Sequence, residues 1–200
     1  MRRVLGTIAA AAALSLVLAG TALAAPGPKW DPFGTAAWRP HTGHDSQHGL
    51  VAVADGTGSK FGGLELVRGF DTNPADVDGA SFWFKGDRTG NSNGSPRIVV
   101  VFDDGGNATL RPLTWTGNWQ FVDGFGAATN WDNNGGTCGP FLFNTSWIVI
   151  KTCHAGANIT EVFAVHDAGP ANFATFPDQT AVLDDVNFDG IVASGPGQST

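Results

Sequence analysis

Trp115, Trp119 and Trp131 stand among turn residues, in Thr114-Trp115-Thr116-Gly117-Asn118-Trp119 and Asn130-Trp131-Asp132-Asn133-Asn134-Gly135-Gly136. Sugar recognition needs flat apolar faces to stack on pyranose rings, with polar groups beside them for the hydroxyls. Both segments supply that combination, with Asn118, Asp132 and Asn133 as the polar partners. The competing reading is that these indoles cap the ends of a β-sandwich. Trp83 in Phe82-Trp83-Phe84, and Trp147, read as core or core-edge.

Catalysis has fewer candidates. Glu65 and Glu161 are the only glutamates, so a secreted retaining glycan hydrolase would have to hold these two carboxyls about 5–5.5 Å apart. The acidic motif Glu-x-Asp-x-Glu of one group of jelly-roll glycosidases is absent. Gly90-Asn91-Ser92-Asn93-Gly94 matches G-x-S-x-G, but a nucleophile elbow needs a helix after it, and Ser95-Pro96 leads into a strand. That segment reads as a Gly/Asn loop. His41, His44 and His48, with Asp45, place zinc-ligand types within eight residues. Pro40 and Gly43 make this a loop without helical spacing, and an exposed His-rich loop is the competing reading.

The C-terminal segment carries two resemblances. Asp185-Val186-Asn187-Phe188-Asp189-Gly190-Ile191-Val192 is similar to the opening of an EF-hand calcium loop or a dockerin repeat, yet Pro196 stands where a bidentate carboxylate belongs. Ala181-Val182-Leu183-Asp184-Asp185-Val186-Asn187-Phe188-Asp189-Gly190 resembles the last strand of galactose-binding-like jelly rolls, which include many carbohydrate-binding modules. That likeness implies a jelly roll, an extracellular glycan as partner, no required cofactor, and a structural calcium at Asp184 and Asp185. Adjacent residues on a strand face opposite ways, which would put Asp184 on the face of Val182, Val186 and Phe188. A buried carboxylate needs a partner; calcium and hydrogen-bond donors both remain open.

Compartment comes from the first 24 residues. Arg2 and Arg3 precede an apolar run, and Ala22-Leu23-Ala24 offers a signal-peptidase site, so cleavage is expected after Ala24. Export to an oxidising space makes Cys138 and Cys153, the only two cysteines, an expected disulfide. Without Arg2 and Arg3 the charge moves from −7 to −9. Such acidity disfavours nucleic acid as a partner, and no second apolar stretch suggests a membrane one. A free monomer is expected. A secreted interaction protein of undefined ligand stands as a further alternative.

What positions these residues must be β-structure. Sixteen of the 18 acidic residues are Asp, and 28 residues are Gly, which favours turns over helix interiors. Short runs rich in Val, Ile, Phe and Trp predict strands near 49–54, 63–68, 80–85, 97–103, 108–114, 119–122, 140–143, 147–152, 159–166 and 180–192. The expected fold is an all-β, two-sheet antiparallel sandwich of jelly-roll type. It would carry one disulfide-bridged hairpin, with Phe143 opposite Ile148. Residues 1–24 form the leader, 25–48 a loosely structured segment, 49–192 the sandwich and 193–200 a flexible tail.

Overall fold

The computed structural model describes residues 27–55, 59–67, 72–86, 96–125, 129–167 and 178–196. The leader, the G-x-S-x-G segment and the last four residues lie outside that set. The chain forms β1 (Lys29–Gly34), β2 (Ala37–Pro40), β3 (His48–Ala54), β4 (Gly62–Val67), β5 (Ala80–Gly86), β6 (Arg97–Phe102) and β7 (Asn107–Leu110). These are followed by β8 (Gln120–Asp123), β9 (Trp131–Asn134), β10 (Leu142–Thr145), helix α1 (Trp147–Cys153), β11 (Ile159–His166), β12 (Gln179–Phe188) and β13 (Ile191–Ala193).

Two antiparallel sheets pack face to face as a β-sandwich. One has the order β1-β4-β11-β6-β7-β9-β10 and the other β2-β3-β12-β5-β8, with β13 paired to β12. The core follows from period-two alternation. Leu50 and Ala52 on β3, Phe82 and Phe84 on β5, Ile98, Val100 and Phe102 on β6, and Leu183 on β12 all point inward and are buried. β6, apolar on both faces, runs between β11 and β7 as a central strand.

The N-terminal segment is not loose. Trp30 is buried, its indole N–H donates to the carbonyl of Ile191 at 2.8 Å, and β1 pairs with β4 over six residues. β2 pairs with β3. The long C-terminal strand expected to 192 instead turns at Asp189-Gly190, whose φ values of 52° and 78° suit a two-residue hairpin. Ala193, assigned to a flexible tail, is buried in β13.

The disulfide is present between Cys138 and Cys153, but no hairpin carries it. Residues 147–153 form α1, and Cys138 ends a short 3-10 turn. Phe143 and Ile148 do not face each other as a strand pair: β10 pairs with β9 instead, and both side chains are exposed. Trp147, Ile150, Cys153 and His154 are buried at three-to-four spacing, so one helical face packs on the core and overrides the local β-propensity of Ile and Val. In the chain-entropy model, closing this loop stabilises by about 3 kcal/mol. Among the described residues no helix is long and apolar enough to cross a membrane. That and the disulfide are compatible with an extracellular protein.

Candidate ligand-binding groove

On the outer face of the second sheet, cross-strand pairing aligns Val51, Val182 and Lys85 in one row and Asp184, Trp83 and Phe121 in the next. Trp83 faces outward because Phe82 and Phe84 face inward. The loop from 41 to 47 folds over this face and is held by Asp184, which is fully buried. The His44 backbone N–H donates to Asp184 Oδ2 at 2.6 Å. The Ser46 hydroxyl lies 2.9 and 3.0 Å from the two carboxylate oxygens, and the Asp185 N–H donates to Oδ1 at 2.9 Å. Held there, the His44 imidazole stacks on Trp83 with centroids 3.8 Å apart and planes 10° from parallel. Trp119 meets the same imidazole edge-on at 5.3 Å.

A second loop faces the first. Trp115 is half-buried against Phe84, and its indole N–H donates to the Gly86 carbonyl at 2.9 Å. The Thr116 N–H donates to Gln120 Oε1 at 2.8 Å, and the Asn118 N–H to Thr116 Oγ1 at 3.3 Å. Gly117, with φ of 77°, allows the tight turn between them. Trp119 follows directly. Between the two loops lies a groove of about 410 Å³, with His41, Thr42, Trp119, Lys85, Thr180 and Val182 on its lining. It joins one indole to two threonine hydroxyls, an imidazole and an amine, a combination able to stack on a ring and bond to its substituents.

The other sequence candidates lie elsewhere. Trp131 is fully buried, packs on Trp147 at 4.7 Å and donates its indole N–H to the Gly124 carbonyl. Asp132 pairs with Arg111 and accepts from the Asn144 N–H, while Asn133 is buried. Neither is among the residues that line the groove. Asn133 Nδ2 donates to the Gly135 carbonyl at 3.0 Å, leaving Oδ1 for the buried His154 Nε2 at 2.8 Å. His154 Nδ1 meets Asp104 at 2.8 Å. Burial pushes the Asp104 carboxyl up, but the Gly106 N–H and His154 outweigh that effect and hold it below the usual carboxylate range.

Glu65 and Glu161 are on the outer face of the opposite sheet. Glu65 stands across from Phe163, and Glu161 lies two residues along β11, exposed. Neither lines the groove. His41, His44 and His48 do not converge on a metal: among the described residues no three His, Cys, Asp or Glu side chains could share an ion. The calcium implied at Asp184 and Asp185 does not fit the donors present. Both Asp184 oxygens already face N–H or hydroxyl groups of the protein, which is the hydrogen-bonded alternative. Asp184 also leaves the face of Val186 and Phe188, because the pairing register shifts after it and Asp185 adopts φ of 46°. That β-bulge inverts the alternation.

Burial, then the neighbouring Asp184 and Asp45 carboxylates, raise the Asp185 pKa above its usual value, with His44 partly opposing. A carboxyl whose folded pKa is raised loses stability for the fold as pH rises through the window from its unfolded to its folded value. Asp185→Asn removes that loss and keeps a residue type that tolerates positive φ. The variant is expected to melt above the parent at pH 7, with the gain vanishing as pH falls below the ordinary Asp range, checked by thermal denaturation across pH.

Sequence reasoning missed Lys85 and read Trp83 as core or core-edge, whereas it stands half-buried on the outer face. The outward parity of both is written in the alternation of Ala80-Ser81-Phe82-Trp83-Phe84-Lys85. Comparisons with family models, with curated proteins and with solved structures return no match.

Proposed function

We propose that the chain is a secreted β-sandwich that binds an extracellular glycan without catalysis, in the groove between the 41–47 and 115–119 loops. The observation that carries this reading is Trp119, an indole that lines an open groove beside hydrogen-bonding groups. Trp115 and Asn118 contribute by holding the Trp119 loop. The N-terminal Arg-Arg start, the Ala22-Leu23-Ala24 site and the disulfide support export.

Retention on insoluble and gel-embedded polysaccharides tests the reading. The parent is expected to be retained on at least one glycan, and chelator is expected to leave retention unchanged. Trp119→Ala should weaken it by about 2 kcal/mol, roughly 30-fold in Kd, as for other aromatic anchors. Retention unchanged by that substitution would refute the groove as the binding site.

A further inference from the structure

The charges around the groove narrow the ligand class, an inference that rests on the glycan reading above. The chain as a whole is acidic, at −7. Most described cations are already engaged: Lys29 with Asp31, Lys60 with Asp178, Arg97 with Asp167, and Arg111 with Asp132. Lys151 donates to the Ala75 carbonyl. Lys85 is exposed on β5 and has no carboxylate partner among the described residues. It lines the groove together with Trp119, His41 and Thr180, and none of the described residues of that lining carries a carboxylate. An amine beside Val182 and an indole, with no carboxylate among the described lining residues, is a local departure from the chain's acidic field. Such a departure draws an anion toward that point.

We infer that the groove takes an acidic sugar, a pyranose bearing a carboxylate as in polyuronates. The ring face stacks on Trp119, the carboxylate meets the Lys85 ammonium, and the Thr180 hydroxyl and His41 imidazole serve ring hydroxyls. A compact ammonium on a flexible stem acts as a point charge, so Lys85 selects for charge without demanding one anion geometry. Sulfated sugars share that chemistry, and the test separates them.

The experiment compares affinity electrophoresis through polygalacturonate and alginate, their methyl esters, dextran sulfate, and a set of neutral glucans, xylans and galactans. The parent, Lys85→Gln, Lys85→Arg and Trp119→Ala are run side by side. The parent is expected to be held by a free-acid polyuronate and released by added salt. Esterification, which removes charge from the same sugar chain, and Lys85→Gln should each weaken retention by about 3–10-fold. Lys85→Arg should restore most of it, and Trp119→Ala should weaken it by roughly 30-fold. Retention on dextran sulfate above either polyuronate overturns the carboxylate assignment. Retention on neutral glycans that Trp119→Ala weakens and Lys85→Gln leaves intact overturns the acidic ligand while the groove reading stands. No retention on any gel, or retention indifferent to Trp119, removes both.

Discussion

Replacing Trp131 with alanine is expected to cost about 3–5 kcal/mol of stability, the range for removing a fully buried aromatic side chain. Trp131 has no exposed surface, packs against Trp147, and spends its only donor on the Gly124 carbonyl. Truncation leaves a void where the β9 strand meets α1, and it orphans that carbonyl. Chemical denaturation would show the loss as a lower midpoint at unchanged slope. Well below the melting temperature, glycan retention should match the parent, since nothing in the groove touches residue 131. A Trp131→Ala protein of parental stability, or a stable one that lost retention, would place this indole where the sequence first suggested and not in the core.

Asp184→Ala is expected to act on both stability and binding. The His44 N–H and the Ser46 hydroxyl each bond to this buried carboxylate. Hydrogen bonds to charged groups contribute roughly 1.5–3 kcal/mol each and do not add fully, so a loss of about 3–4 kcal/mol follows. Its second consequence is functional. Freed from Asp184, the 41–47 loop no longer presents His41 and Thr42 as a wall of the groove, and His44 no longer caps Trp83. Glycan affinity should fall by about tenfold or more, with the ordering entropy of the loop now charged to binding. Asp184→Asn, which retains an oxygen acceptor, should lose less of each. Parental affinity in a folded Asp184→Ala protein would show that the loop does not shape the site.

Much of the sandwich was legible because burial imposes alternation. Ile98-Val99-Val100-Val101-Phe102 reads as a central, covered strand and is central, though Val99 and Val101 on its outer face are only half-buried. Asp103-Asp104-Gly105-Gly106-Asn107 reads as a hairpin turn and joins β6 to β7, with Asn107 opening β7 and Gly105 at φ of 84°. What failed was set by partners distant in the chain. Residues 147–153 look like a strand because Ile148, Val149 and Ile150 favour one; the helix exists because Trp147 and Ile150 need the same core face. Trp131 and Trp119 lie in similar local sequence, among Asn, Gly and Thr. Their opposite fates depend on which sheet and which edge receives them. Asp184 reads as the one inward carboxylate of the Asp184-Asp185 pair, in need of a partner, and it is buried with partners, but the bulge beside it has no local signal. That bulge turns Val186 and Phe188 inward and leaves Asp184 on the outer face with Val182, beneath the 41–47 loop.

The tryptophan indole N–H resonances test the groove most directly. In a ¹⁵N–¹H titration with oligosaccharides of whichever glycan retains the parent, the Trp119 indole should shift and saturate, and those of Trp30, Trp131 and Trp147 should stay in place. Trp83, capped by His44, should respond less than Trp119. A saturable titration that leaves the Trp119 indole unmoved would contradict the assignment of this groove as the binding site.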